Sequence, residues 1–361
     1  MNKNKKIRVL VVGCGNMGAS HAMSYHLSNG FDICGLVSRG NSKVELNKKL
    51  GGIYTLFNDF ETALKETQPD AVSISTYPDT HENYAIKAIE MGSHVFVEKP
   101  LADTVAGAMR VAEAAKKYHK KLVVGYILRY HPSWERFIAL SHGLGKPLVM
   151  RMNLNQQSHG RMWDVHRNLM DSLSPIVDCG VHYIDVMCQM ARSKPVQVSA
   201  IGARLSNDIP KDNYNYGQLQ LRFEDGSIGW YEAGWGPMIS ETAFFIKDVI
   251  GPNGSVSIVA KKASATGNSD SVDAHTKTES LHCHYAELDE NNAFIKADQW
   301  IDLEDEPDHQ ELCNREQAFF LKSIHEDLDL SESINDAINS LRIALACDAS
   351  VKTGKPVELS L

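Results

Sequence analysis

No stretch of this 361-residue chain approaches the ~18 consecutive apolar residues that a membrane-crossing helix needs. The basic start, Met1 to Lys6, is followed by an apolar stretch that stops at Gly13, too short for a secretory signal. Cysteine is sparse and unpatterned. The seven residues (14, 34, 179, 188, 283, 313 and 347) are odd in number and contain no Cys-x-x-Cys, which argues against a disulfide framework and for reduced thiols in the cytoplasm. Positive charge is not in excess. A formal net charge of −8 gives no electrostatic footprint for nucleic acid or an anionic membrane, so neither is expected as a partner. Hydrophobic residues at 43% and charged residues at 23% are ordinary for a globular chain long enough for two domains.

The first 125 residues alternate short apolar strands with helical patterns. Strands are expected at Ile7 to Val12, Ile33 to Val37, Ala71 to Ser75, His94 to Val97 and Leu122 to Val124. Helical spacing lies between them, as at Thr80 to Met91 and Thr104 to His119. Such alternation predicts an α/β domain with a doubly wound parallel sheet over residues 1–125. After Tyr126 prolines punctuate the chain, and longer strand patterns appear, including Gly217 to Phe223 and Ser227 to Gly234 joined by the turn Glu224-Asp225-Gly226. A second α+β domain with a mostly antiparallel sheet is therefore expected over 126–361. Within it, Lys262 to Ser280 and the acidic run Asp302 to Asp308 read as exposed loops, and Gln310 to Lys352 as helical.

The first strand runs directly into Gly13-Cys14-Gly15-Asn16-Met17-Gly18. Glycines at these positions permit a tight turn, close approach of the backbone to a pyrophosphate, and close packing of the following helix, whose amino terminus favours an anion. Its context (after a strand, opening a helix) marks a dinucleotide-binding fingerprint. The second strand ends in Ser38-Arg39-Gly40-Asn41, without the acid that usually takes the ribose hydroxyls of NAD. Ser38 and Arg39 suit a 2′-phosphate instead, which favours NADP over NAD.

Glu98-Lys99-Pro100 closes the fourth expected strand, and Pro100 forbids that strand to continue. Lys99 is thereby expected at the carboxyl edge of a parallel sheet, where open α/β sheets bind ligands. Further on, Asp178-Cys179-Gly180-Val181-His182-Tyr183-Ile184-Asp185 reads as one helix. Asp178 and His182 are four apart and share a face, with Asp185 near them. Gly180 costs roughly 1 kcal/mol against alanine inside a helix, which a flat ring or ligand packed there would explain. The pair suits proton transfer, with the histidine as base and the carboxylate as its orienter; it suits equally a structural bridge.

Taken together, Gly13 to Gly18, Thr76-Tyr77-Pro78…His81, Glu98-Lys99-Pro100, Arg129-Tyr130-His131-Pro132, Asp178…His182 and the tail Ser350…Gly354-Lys355-Pro356-Val357 resemble the Gfo/Idh/MocA family of sugar and cyclitol oxidoreductases. The resemblance implies a Rossmann domain followed by an open-faced sheet, often buried in a homodimer or homotetramer. It implies NAD or NADP as cofactor and a small carbohydrate or cyclitol as substrate. In that reading Lys99 positions the reacting hydroxyl, His182 is the general base and Asp178 binds a sugar hydroxyl. Thr76, Pro78, His81 and Glu98 line the cofactor, while Arg129, Trp163 and His166 are candidates for the substrate pocket. A glycoside-cleaving reaction through transient oxidation is also allowed, and so is a non-catalytic nucleotide-binding protein. The chain departs from the family just before Asp178, where Ser172-Leu173-Ser174-Pro175 replaces a common glycine run. His282-Cys283-His284-Tyr285 reads as ordinary strand residues, so no metal is expected. Trp230 and Trp235 are expected to pack the sheet, or to offer an aromatic platform.

Overall fold

Buried apolar runs order the first part of the chain. The structure, a computed structural model, describes residues 5–240, 246–259, 278–303 and 306–360. Strands β1 (Ile7–Val12), β2 (Phe31–Val37), β3 (Leu56–Phe57), β4 (Ala71–Ile74), β5 (His94–Glu98) and β6 (Leu122–Gly125) form one sheet in the order β3-β2-β1-β4-β5-β6. Every neighbouring pair in it is parallel. Helices α1 (Asn16–Leu27), α2 (Ser42–Lys49), α3 (Phe60–Thr67), α4 (Pro78–Glu90) and α5 (Val105–Lys117) connect these strands. β1 and β4 are almost wholly buried, as strands covered on both faces must be. The connection through α2, β3 and α3 was not visible in the apolar pattern, because β3 is two residues long and only partly buried.

The structure divides the chain into two compact units, residues 1–130 with 309–338, and residues 131–308 with 339–361. The expected boundary at 125/126 therefore needs correction by a returning segment. Helix His309–His325 leaves the second half of the sequence and packs on α1, with Phe320 and Ile324 in the first unit's core beside Tyr25, Phe31 and Phe96. Its apolar face is completed by β1, β2 and β5 rather than by its sequence neighbours. That long-range choice leaves no local trace in the chain.

The second unit is built on a nine-stranded sheet. Its members are β7 (Val149–Gln157), β8 (Pro195–Ala203), β9 (Tyr216–Phe223), β10 (Ile228–Gly236), β11 (Lys247–Gly251), β12 (Gly254–Val259), β13 (Ser280–Tyr285), β14 (Gln299–Asp302) and β15 (Val357–Glu358). They run in the order β14-β13-β12-β11-β7-β10-β9-β8-β15. Only β7 and β10 pair in parallel, so the sheet is mixed but mostly antiparallel. The turn at Glu224-Asp225-Gly226 joins β9 to β10, with Gly226 at φ +84. Helices α6 (Pro132–Ser141), α7 (Gly160–Leu169), α8 (Pro175–Asp178) and α9 (Gly180–Ala191) accompany this sheet. Along the strands, buried residues alternate with positions that stay open, among them Ile201, Ile228, Ile250 and Trp300.

Two expected loops behave differently. Most of 262–280 lies outside the described residues, while Thr278 and Ser280 at its end are buried. In the acidic run, Glu306 is not a solvated charge: it accepts a hydrogen bond from the Thr278 backbone N–H at 2.7 Å and lies 3.4 Å from buried His131. All seven cysteines are free thiols. No helix of the described residues is long and apolar enough to cross a membrane.

Candidate active site

The carboxyl edge of the parallel sheet gathers most of the expected nucleotide residues. Strand order reverses between β1 and β4, and at that point an open α/β sheet leaves a crevice. The Gly13 turn follows β1, Ser38 and Arg39 follow β2, Thr76 follows β4, and Lys99 follows β5. Gly13 has φ +92, and a Cβ there would lie 2.2 Å from the Ser75 carbonyl oxygen. At Gly18 a Cβ would lie 1.9 Å from the Gly13 oxygen, so helix and turn touch through bare backbone. At Gly15 a Cβ would meet nothing within 4 Å. Tight turn, open approach and close packing thus fall on the three glycines in the order a pyrophosphate site requires. Gly15 caps α1 without any side-chain bond, and the first turn, with Asn16 and Met17, carries no acid; its N–H groups suit an anion. Cys14, within the turn, is buried, which pushes its thiol pKa up to about 12 and keeps it unreactive.

The loop after β2 is braced by a residue that the sequence reading missed. Lys43 is 8% exposed and donates to the carbonyls of Ser38 and Gly40, both at 2.8 Å. The Ser38 hydroxyl is occupied by Gly40 and Ser42, whereas Arg39 is exposed. A lysine on a short polar helix reads as a surface residue, and nothing in the sequence marks it as a brace. Thr76 shares a 2.6 Å hydroxyl contact with Thr80, and Pro78 occupies the first turn of α4.

His81 and Glu98 lie deeper than expected. His81 is fully buried, with Nδ1 2.7 Å from the Pro100 carbonyl and Nε2 3.1 Å from the Thr76 carbonyl. Burial pushes its pKa down, and a neutral ring donates only once, so the shorter contact to Pro100 takes the proton. His81 therefore ties α4 to the loop after β5 through the Pro100 carbonyl. Glu98 is 7% exposed and turned inward: its Oε1 lies 2.7 Å from His21 Nε2, and its Oε2 accepts the Lys99 backbone N–H at 3.2 Å. Lys99 itself is partly exposed at the sheet edge. Arg129, in the same unit, forms a 2.7 Å ion pair with Asp336.

Asp178 and His182 belong to the second unit. The single helix expected there is two: α8 ends at Asp178, and α9 begins at Gly180, joined by a 3₁₀-type bond from His182 N–H to the Cys179 oxygen. The flat ring against Gly180 is Tyr231 of β10, whose Cε1 would lie 3.1 Å from an added Cβ. Asp178 and His182 are both part-exposed on an otherwise buried segment, while Asp185 is 3% exposed and accepts a 2.8 Å bond from Gln189 within the helix. The unusual Ser174-Pro175 sequence resolves into a helix start, with the Ser174 hydroxyl accepting from Val177 N–H and donating to Asp348 at 2.7 Å. Beneath the turn, Trp163, Met170, Cys179, Ile209 and Trp235 form a buried cluster. His166 stacks on Trp235 at 4.3 Å, so that tryptophan face is covered and Trp235 packs rather than serving as a platform. His282 and His284 both contact Asp298, at 2.9 and 2.8 Å, with Cys283 buried on the opposite side.

The glycine geometry separates folding from binding. Gly18→Ala should lose about 1–3 kcal/mol of stability by overpacking. Gly15→Ala should melt near the wild-type temperature yet bind the nucleotide more weakly. Thermal melts and nucleotide titration of both variants check this; equal melting temperatures would overturn it.

The family model described as an oxidoreductase family with an NAD-binding Rossmann fold matches residues 7–126, and the model for the GFO/IDH/MocA C-terminal domain matches 138–257. Among curated proteins, the inositol 2-dehydrogenase of Acidothermus cellulolyticus is 24% identical over 307 residues, 80% of this chain and 85% of that protein. The inositol 2-dehydrogenase/D-chiro-inositol 3-dehydrogenase of Halalkalibacterium halodurans is 30% identical over 188 residues, about half of each chain. Among solved structures, myo-inositol 2-dehydrogenase from Lactobacillus plantarum superposes with a TM-score of 0.77 at 20% identity, covering 99% of this chain and 100% of that one. GenD2 from gentamicin A biosynthesis, solved in complex with NAD, gives 0.75 at 20% identity over 100% and 98%. With both of its domains matched in sequence order and the expected sheet present, the chain belongs to the Gfo/Idh/MocA family of oxidoreductases.

Proposed function

We propose that this oxidoreductase moves a hydride between a nicotinamide dinucleotide and a secondary hydroxyl of an inositol, sugar or sugar derivative. The observation that carries the reading is Lys99, held at the carboxyl end of β5 in the same sheet edge as the Gly13–Gly18 turn. Relatives named inositol 2-dehydrogenase support the substrate class. A nicotinamide dinucleotide held by the Gly13–Gly18 turn would supply hydride transfer at the carbinol carbon. His182 takes the hydroxyl proton through its imidazole in the oxidation direction. Lys99 donates to the same oxygen as negative charge develops on it. Asp178 accepts a hydrogen bond from a neighbouring hydroxyl and sets the ring's orientation. Trp163 and His166 support the turn that carries Asp178, and Arg129, a further substrate-pocket candidate, is held by its ion pair with Asp336.

Histidine acting as base contributes about 10²–10⁴-fold. His182→Ala should therefore lose turnover of that order against its best substrate from a panel of inositols, sugars and glycosides, while nucleotide affinity stays near wild type. Near-wild-type turnover would sink the assignment. Product release from a glycoside with no net change in nucleotide absorbance would replace dehydrogenation with transient oxidation.

The loop after β2 favours NADP. It carries no acid for the ribose hydroxyls, and Arg39 is exposed there with Lys43 holding the loop carbonyls. A charge-assisted bond from Arg39 to a 2′-phosphate is worth about 1.5–3 kcal/mol, so Arg39→Ala should cut kcat/KM with NADP about tenfold or more and barely change it with NAD. Equal efficiency of the wild type with both nucleotides would refute the preference.

The open positions of the second sheet suit a second copy. Register places Ile228, Trp230, Ile250 and Trp300 on one face, and Ile228, Ile250 and Trp300 are exposed apolar residues. A homodimer or homotetramer burying that face should appear in light scattering, and Ile250→Asp should lower the mass. A monomeric wild type would end this reading.

A further inference from the structure

Behind Lys99 the first unit holds a polar cluster that the proposed reaction does not use. The Tyr25 hydroxyl donates to Gln317 Oε1 at 2.6 Å, which fixes the orientation of that amide. Gln317 Nε2 then faces His21 Nδ1 at 2.9 Å and donates to it. With Nδ1 accepting, the ring proton sits on Nε2 and points at Glu98 Oε1, 2.7 Å away. Glu98 Oε2 accepts the Lys99 backbone N–H. The hydrogen bonds thus run one way, from helix His309–His325 through α1 to the end of β5. Tyr25, Gln317 and His21 are each 1% exposed or less, so water does not compete for these bonds.

We propose that His21, Gln317 and Tyr25 are positioning residues for Lys99, acting by holding the Glu98 carboxylate against the lysine's backbone amide. The proposal rests on the reading of Lys99 as the residue that meets the reacting oxygen. A second buried carboxyl makes the arrangement asymmetric. Glu316 is 0% exposed, and among the described residues neither of its oxygens has a hydrogen-bond partner. Burial first, and then the charge of Glu98, push its pKa well up, so Glu316 is the neutral member of the pair. Glu98 has a donor on each oxygen and holds the charge. Tyr25 and His81 also feel the charge of Glu98, and Cys313 faces Tyr25. Tyr130 adjoins Glu316.

A cation held by His21, Cys313 and Glu316, whose ligand atoms lie within 4.8 Å of one another, is the competing assignment. It requires a ring nitrogen of His21, and both are taken. The hydrogen-bond chain accounts for His21 without displacing either contact.

Without the His21 donor the Glu98 carboxylate is no longer fixed against the Lys99 backbone amide, and Lys99 gains freedom to meet a reagent. The test is competitive acylation of the full chain with acetic anhydride at neutral pH, reading Lys99 against exposed Lys116 by peptide mass spectrometry. Melting temperature, nucleotide affinity, bound metal and oxidation of myo-inositol are measured alongside. His21→Leu should raise Lys99 labelling about threefold. His21→Gln, which keeps an N–H near the Nε2 position, should return it most of the way, with nucleotide affinity unchanged in both. If His21→Leu does not fold, Tyr25→Phe carries the test and should give a smaller rise. Unchanged Lys99 labelling in a folded variant, or a stoichiometric metal lost in Cys313→Ser, would overturn the proposal. Labelling that responds while the wild type oxidises neither myo-inositol nor any member of the panel of inositols, sugars and glycosides would uphold the chain and reject the dehydrogenase reading. Oxidation of myo-inositol with unresponsive labelling would do the reverse.

Discussion

Helix α1 meets the turn after β1 through backbone alone, and the nucleotide half of the molecule depends on that contact. The Gly18 position lies so close to the Gly13 carbonyl that a single methyl group would overlap it. This approach sets the angle at which α1 leaves the sheet, and so where its uncapped N–H groups point. The same helix carries His21 and Tyr25 three and seven residues past Gly18, on the face that meets helix His309–His325. One steric constraint therefore serves the anion-binding end of the helix and the polar contacts along its side.

The end of β5 is held from two directions within that unit. His81 reaches the Pro100 carbonyl from α4, and Glu98 is fixed by His21 from α1. Buried polar groups are costly unless satisfied, and a satisfied network defines one geometry rather than several. Lys99 sits between these two anchors in the chain. In the second unit the corresponding rigidity comes from packing: Tyr231 lies against Gly180, and Ser174 is tied to Asp348 at the start of α8. The segment with Asp178 and His182 is buried almost everywhere except at those two residues.

Much of this was legible in the chain, for identifiable reasons. Five of the six strands of the parallel sheet are short apolar runs bounded by turn residues, and their limits fell within two residues of those observed; the two-residue β3 left no such run. The fingerprint was legible because glycine at three set positions between a strand and a helix serves few purposes besides seating a pyrophosphate. Gly180 was legible as an oddity but not in its cause, since a tyrosine ring from β10 leaves the same signature as a ligand. Helix His309–His325 showed its period and gave no sign of its partner. His21 and Gln317 were missed because a polar residue on a buried helix face differs from a surface residue only in what lies opposite.

By itself, then, the sequence determined the alternation of strand and helix, the glycine turn, the lysine at a strand end and the missing acid after β2. These depend on local sterics and on the periods of helix and strand, which neighbouring residues set among themselves. Tertiary structure alone decided that residues 309–338 return to the first unit, that His81 and Glu98 face inward, and that Tyr231 fills the space over Gly180. Those outcomes depend on contacts between residues far apart in the chain. Burial and hydrogen-bond partners are properties of such contacts, so they exist only once the fold has brought the elements together.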